Sequence, residues 1–209
     1  MTGHRVRRSP AEPVIHLALA IALLVGMFPI GGAADHAEAA TSVALAGDVQ
    51  SELGCPGDWQ PECDNTELSL GDAPVWKATF TIPTGSWEYK VALNDTWDVS
   101  YPGSNIGLTV AADTPVSFYY SDRDHWVQDS VNDRILTAVG NFQSELGCAG
   151  DWAPSCLTSL MDDADGDGIY TYATDQIPAG SYEGKVAADE DWATSYPGGN
   201  VAFTVSDGD

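Results

Sequence analysis

The chain has 209 residues, and its 31 acidic side chains outnumber its 8 lysines and arginines, giving a formal net charge of −23. Nucleic acids and anionic lipid headgroups are bound by clustered basic residues, which a chain of this composition does not supply. The composition therefore argues against nucleic acid and membrane surfaces as partners. We interpret the acidity chiefly as a feature that favours solubility.

The first 40 residues are predicted to be a secretory signal peptide. Three arginines precede an apolar run over residues 17–28, and the small-residue segment 37–39 resembles a cleavage site. The apolar run is shorter than the roughly 20 residues that cross a bilayer, which favours cleavage over retention as an anchor. We therefore expect a secreted, extracellular protein that begins near Ala40 and has no membrane partner after cleavage.

The chain contains one motif twice. Residues 47–59 read GDVQSELGCPGDW and return over residues 140–152 as GNFQSELGCAGDW. Residues 82–92 return in the same way over residues 177–187. A spacing of about 90 residues suits a small domain and is too long for a solenoid repeat.

The duplication predicts two modules, one over residues 41–133 and the other over residues 134–209. No Pro- or Ser-rich linker separates them, so we expect them to lie close together. Binding suits a duplicated module better than catalysis, because a second binding site adds avidity.

Short alternating segments predict an all-β fold. Residues 75–82 place Trp76 and every second residue after it on one face, and residues 86–93 alternate in the same way. Further strands are predicted over 43–46, 106–110, 115–120 and 169–174. Strands of this length, separated by Gly, Pro and Asp turns, are typical of an immunoglobulin-like β-sandwich.

The second module is predicted to lack its last strand. In the first module the segment ending at Val110 is followed by the strand over 115–120, whereas only four residues follow the matching Val205. A sandwich without this strand leaves an unpaired edge and an uncovered core face. We therefore expect the natural protein to continue beyond Asp209.

Each repeat carries two cysteines with the spacing Cys-x7-Cys. In a secreted protein this pattern predicts the disulfides Cys55–Cys63 and Cys148–Cys156. Closing so short a loop contributes roughly 2–3 kcal/mol on the chain-entropy model. The alternative is a zinc site, which would lack the usual Cys-x2-Cys spacing and a nearby histidine.

Several tryptophans and lysines are candidates for carbohydrate binding. A ring in a polar, turn-rich segment can stack on the apolar C–H face of a sugar, and a neighbouring lysine can donate to its hydroxyl groups. Alternatively, the rings cap the ends of the sandwich and the lysines form surface ion pairs. The candidates are Trp97, Lys90, Trp192, Lys185, Trp59 and Trp152.

An acidic segment gives a weaker indication of calcium binding. Asp163, Asp165 and Asp167 match the first half of a calcium-binding loop, but Thr174 stands where a bidentate glutamate is expected. The alternative is an Asp/Gly-rich turn. No other cofactor is predicted.

The chain offers little for catalysis. His125 is its only histidine after the predicted signal peptide, so no Ser–His–Asp arrangement can be argued. No carboxylate pair suited to glycoside hydrolysis can be singled out among the 31 acids. We therefore predict that this chain is not itself an enzyme.

The block over residues 47–59, together with residues 85–94 and Trp97, resembles accessory β-sandwich modules of bacterial pullulanases and amylopullulanases. The resemblance covers both repeats. It implies an immunoglobulin-like fold and a non-catalytic role, upstream of a catalytic domain, in an extracellular enzyme that degrades α-glucans. Starch and pullulan are the implied polysaccharide partners.

Starch-binding modules on related sandwiches use exposed tryptophans and a lysine, which implies the same role for Trp97, Lys90 and their counterparts. Tyr89 is replaced by Gly184 in the second repeat, a departure that predicts weaker binding there or a need for additional chain. The alternative function is a structural spacer that packs against a catalytic domain beyond residue 209.

Overall fold

The computed structural model describes residues 39–72, 74–163 and 166–206, so the predicted signal peptide lies outside the described residues except for its last two positions. Within these ranges the protein consists of β-strands and 3₁₀ turns, the longest of which is Gln143–Leu146. The prediction of an all-β fold is confirmed. No helix in the described ranges is long and apolar enough to cross a membrane.

The first repeat forms a seven-stranded antiparallel sheet that folds over on itself. Its strands are β1 (Val43–Gly47), β2 (Glu67–Leu70), β3 (Val75–Ile82), β4 (Gly85–Leu93), β5 (Ser100–Val110), β6 (Thr114–Ser121) and β7 (Val127–Asp129). They are ordered β5-β4-β1-β2-β3-β6-β7. Strand β2 joins the two layers, because Leu68 pairs with β1 whereas Ser69 pairs with β3.

The core lies between these two layers. Tyr89 on β4 meets Phe118 on β6 edge-on, with 5.0 Å between ring centroids. Its hydroxyl donates a hydrogen bond of 2.7 Å to the buried carboxylate of Asp129. Burial and the Asp129 charge raise the pKa of Tyr89, so the phenol remains a donor. The alternation of β3 is as predicted, with Trp76 and Ile82 buried in this core.

The second repeat reproduces only one of the two layers. Its strands are β8 (Leu136–Gly140), β9 (Leu160–Met161), β10 (Gly180–Ala188) and β11 (Asp191–Val205). They are ordered β11-β10-β8-β9, which matches β5-β4-β1-β2 of the first repeat.

The predicted strand over residues 169–174 is wrong within the described part of the chain. A single bridge between Asp162 and Thr171 stands in its place. The corresponding strand β3 pairs with β6 along its whole length. No described strand offers residues 169–174 such a partner, so the alternating pattern does not develop into a strand.

Two core positions differ between the repeats in opposite directions: one side chain is larger in the second repeat and the other is smaller. Val49 and Tyr89 of the first repeat correspond to Phe142 and Gly184. A Cβ atom at Gly184 would lie 3.0 Å from the Phe142 ring, which in turn packs edge-on against Phe203 at 5.7 Å. Phe142 therefore occupies the space that the missing tyrosine leaves.

The two repeats are in direct contact through a surface that we call the inter-repeat joint. Its apolar part buries two residues of the first repeat and three of the second: Val75, Tyr119, Ile135, Leu157 and Leu160. The carboxylate of Asp72 also accepts a 2.9 Å hydrogen bond from the backbone N–H of Leu157.

A polar cluster borders the joint. The Arg123 guanidinium donates 3.0 Å hydrogen bonds to the Leu160 carbonyl and to the carboxylate of Asp162. Burial and the adjacent Asp124 carboxylate raise the pKa of Asp162 to about 6. Burial opposes the ionisation of Asp124, but hydrogen bonds from Asp162 and its other neighbours outweigh it and lower the pKa of Asp124. Of the two carboxyl groups, Asp162 therefore holds its proton more tightly.

Candidate functional site

Trp97 lies in the turn between β4 and β5, which is tied to the start of β1. Asn94 and Asp95 adopt positive φ angles of 57° and 58°, as a tight hairpin turn requires. The Asn94 side chain accepts hydrogen bonds of 2.8 and 2.9 Å from the backbone N–H and hydroxyl of Thr41. Asp95 accepts a 2.6 Å hydrogen bond from Ser42. This fixed turn leaves the Trp97 side chain 46% exposed.

Trp192 is the second residue of β11 and directly follows the equivalent turn between β10 and β11. Asp189 and Glu190 have φ angles of 58° and 59°, so the backbone geometry is repeated. Asp189 forms an ion pair of 2.9 Å with Arg134. Trp192 is again 46% exposed. Both tryptophans are therefore exposed to the same extent, Trp97 from a loop and Trp192 from the start of a strand, and both could stack on a sugar.

Lys90 and Lys185 lie on the outer faces of β4 and β10, pairing with Ala46 and Val139 respectively. The Lys90 ammonium donates a 3.3 Å hydrogen bond to the hydroxyl of Ser100. Every ion pair found among the described residues uses another cation, so the ion-pair alternative for these two lysines is not observed there. Both ammonium groups are thus available to hydrogen-bond a ligand.

A carboxylate–amide pair beside each lysine was missed by the sequence analysis. Asn105 donates a 3.1 Å hydrogen bond to Glu88, and Asn200 donates a 3.1 Å hydrogen bond to Glu183. Glu88 is two residues from Lys90, which puts both on one face of the strand, about 7 Å apart. The signal was present in the sequence, because both members of the pair are identical in the two repeats.

Trp59 and Trp152 lie at the end of the sheet away from Trp97 and Trp192. Both are half-buried, and their backbone N–H groups each donate a 3.1 Å hydrogen bond to a glycine carbonyl, that of Gly47 or Gly140. Their φ angles are 57° and 55°, which is rare for a bulky residue and marks a strained backbone. Since Gly47 pairs with Tyr89, about 16 Å of β4 separates the Trp59 backbone from the turn at Asn94.

A buried glutamine hydrogen-bonds residues on the far side of the loop that contains each of these tryptophans. The Gln50 amide donates 2.9 Å hydrogen bonds to Gln60 and Thr66, and its oxygen accepts from Gln60 at 2.7 Å. Gln143 repeats these contacts in the second loop. Both predicted disulfides are present: Cys55–Cys63 and Cys148–Cys156.

The calcium prediction stays a prediction, because Asp165 lies outside the described residues. The Asp163 carboxylate accepts 3.0 Å hydrogen bonds from the backbone N–H groups of Asp167 and Gly168. Such contacts are typical of the alternative, an Asp/Gly-rich turn. No group of three acidic, histidine or cysteine side chains within the described ranges is arranged to hold a metal ion.

The sequence matches known proteins of one kind. The family model for the Pullulanase X25 domain matches twice, over residues 42–127 and 135–209. The chain is 32% identical over 192 residues to an amylopullulanase of Thermoanaerobacterium thermosulfurigenes, a match that covers 83% of this chain and 10% of the relative. It is 30% identical over 189 residues to an amylopullulanase of Thermoanaerobacter thermohydrosulfuricus, covering 85% of this chain and 13% of the relative.

A solved structure of a pullulanase from Bacillus acidopullulyticus is 28% identical and aligns with a TM-score of 0.44, covering 74% of this chain and 17% of that one. The chain spans 10% to 14% of the length of the curated relatives. The resemblance stated from the sequence is confirmed. Because the family model matches most of the chain, the chain belongs to the Pullulanase X25 domain family, a non-catalytic accessory domain of pullulanases.

Proposed function

We propose that the two repeats bind α-glucan, such as starch or pullulan, on behalf of a secreted enzyme that degrades it. One observation carries this proposal: Trp97 and Trp192 are equally exposed, and each follows, seven residues later in the sequence, a lysine that forms no ion pair among the described residues. A role in capping the sandwich would bury these rings. Each ring follows a turn with the same backbone angles, which supports one kind of ligand for both repeats.

The chemistry of the surface suits an uncharged polysaccharide. The indole ring stacks on the apolar face of a glucose unit, while the lysine and the carboxylate–amide pair hydrogen-bond its hydroxyl groups. A neutral ligand is neither attracted nor repelled by the net charge of −23. The acidic surface is therefore compatible with glucan binding, although it disfavours anionic polymers.

The names and lengths of the relatives suggest the kind of protein in which the repeats occur. They carry the name amylopullulanase and are much longer than this chain. We infer that the repeats are secreted, are joined to a catalytic domain in the same protein, and hold that domain close to its polymeric substrate.

Affinity electrophoresis of the full chain in gels with and without soluble starch or pullulan tests the proposal. Losing a stacking tryptophan removes about 2 kcal/mol, or roughly a 30-fold loss of affinity at that site. Trp97→Ala and Trp192→Ala should each reduce retardation, and the double variant should abolish it. The matched control is Leu70→Ala, which removes an equally prominent apolar side chain, 51% exposed, outside the candidate site. Unretarded wild-type protein would refute glucan binding.

A rigid spacer is the second candidate function, and the inter-repeat joint favours it. Burial of Val75 and Tyr119 against Leu157 and Leu160 fixes one repeat against the other, as a spacer requires. A spacer would migrate equally in gels with and without glucan. It would also tolerate both tryptophan substitutions.

A further inference from the structure

The turn that presents Trp192 is held by the other repeat. The carboxylate of Glu190 accepts a 2.5 Å hydrogen bond from the ammonium of Lys77 and a 2.6 Å hydrogen bond from the hydroxyl of Tyr119. Lys77 and Tyr119 are directly opposed on β3 and β6 of the first repeat. Glu190 is two residues before Trp192, so these contacts fix the backbone next to the exposed ring.

The three side chains form a compact, partly desolvated group. The Lys77 ammonium also lies 5.3 Å from the centre of the Tyr119 ring, within the range of a cation–π contact. The side chains of Lys77 and Glu190 are 32% and 18% exposed, so solvent screens their attraction only in part. Burial and the neighbouring carboxylate raise the pKa of Tyr119, which keeps its hydroxyl protonated and able to donate.

In the first repeat the corresponding turn is held by a contact within the same repeat. Asp95, which corresponds to Glu190, hydrogen-bonds Ser42 at the beginning of its own repeat. The longer glutamate in the second repeat instead reaches across the joint. The two turns have the same backbone angles, but only the second depends on a neighbouring module for this contact.

We propose that Lys77 and Tyr119 are positioning residues for the second glucan-binding surface, acting through Glu190 on the turn that directly precedes Trp192. This inference rests on the proposed function. Glu190 has a positive φ angle, which is unfavourable for an L-residue, so side-chain contacts at this position help to hold the turn. Without the contacts from the first repeat, the turn relaxes and the Trp192 ring loses its fixed orientation.

Two measurements on the full chain test this inference with the double variant Lys77→Met/Tyr119→Phe, which retains the apolar parts of both side chains. The first records the indole N–H resonances of ¹⁵N-labelled protein, with Trp192 assigned from Trp192→Phe and Trp97 from Trp97→Phe. We expect the Trp192 resonance to shift or broaden and that of Trp97 to stay in place. The matched control is Thr79→Val, which removes a hydroxyl that bonds Ser117 on the same face of the same two strands.

The second measurement is the affinity for soluble starch in two backgrounds. In Trp97→Ala, where only the second surface binds, the double variant should weaken binding at least roughly 5-fold, as a coupling between two sites typically does. In Trp192→Ala it should change nothing. An unmoved Trp192 resonance with unchanged affinity in Trp97→Ala protein would overturn the inference.

Failure of glucan binding itself is distinguishable. If the wild-type chain binds no glucan, the proposed function fails, and the Trp192 resonance still decides whether the first repeat holds the turn. If the double variant loses its folded spectrum, Glu190→Ala tests the same contact from the second repeat, because it removes a side chain that bonds only across the joint among the described contacts.

Discussion

Replacing Phe142 by valine should selectively destabilise the second repeat. Phe142 is 5% exposed and fills the space beside Gly184 that Tyr89 fills in the first repeat. The substitution removes about four carbon atoms, at about 0.8 kcal/mol each. The expected loss is therefore about 3 kcal/mol, at the lower end of the range for truncating a buried aromatic ring.

The reciprocal change supplies the sharper test. Gly184→Phe alone should destabilise by about 1–3 kcal/mol, because its Cβ would lie 3.0 Å from the Phe142 ring. In the double variant Phe142→Val/Gly184→Phe, the new ring can enter the vacated space, so that the large side chain stands on β10 as Tyr89 stands on β4. We expect a favourable coupling energy of at least about 2 kcal/mol between the two positions.

Hydrogen–deuterium exchange with mass spectrometry measures these effects locally. The opening free energy of peptides from β10 (residues 180–188) should fall in each single variant and recover in the double variant. Peptides from β4 (residues 85–93) serve as an internal control. Additive effects of the two substitutions would refute the reciprocal packing. So would Phe142→Val protein whose β10 protection equals that of the wild type.

Two further predictions concern buried polar groups. Gln50→Ala should destabilise the first disulfide loop by roughly 3 kcal/mol, because it leaves several buried partners unsatisfied, and proteolysis between Cys55 and Cys63 should reveal this. Asp162 has a pKa raised to about 6 from 3.8, so its ionisation disfavours the folded state. Stability should fall as the pH rises from about 4 to about 6, and the melting temperature measured against pH should show this fall. In Asp162→Asn protein the melting temperature should change less over this pH range. If the variant shows the same pH dependence as the wild type, this carboxyl is not the cause.

The strands of the first repeat could be predicted because each places a regular apolar face on one core. Alternation over residues 75–82 gave the bounds of β3 directly, and the core face includes Trp76 and Ile82. Strand β5 was predicted from residue 106 but begins at Ser100. Of residues 100–105, only Ser100 and Tyr101 have partners on β4, and the pairing then shifts register before Ile106, so no periodic signal marks this segment.

The joint could not be predicted, because its residues carry no signal that separates a contact between repeats from an ordinary exposed face. Lys77 alternates with core residues and was expected on the outer face, where it does lie; Tyr119, its partner on β6, lies on the same face. Whether that face meets solvent or a second domain depends on how the repeats dock, and local patterns do not specify docking. The exchange of Tyr89 for Gly184 was likewise visible, but its compensation by Phe142 lies in a different segment and became apparent only in three dimensions.

Strand β6 serves both the interior of the first repeat and the joint: Phe118 points into one, and Tyr119 into the other. Cutting the chain between the repeats would therefore expose Tyr119 and Val75. The result is an exposed hydrophobic patch, which favours aggregation, on an otherwise highly charged protein. The first repeat alone should consequently aggregate more readily than the pair. Protein that ends near residue 133 should therefore be less soluble than protein that retains both repeats.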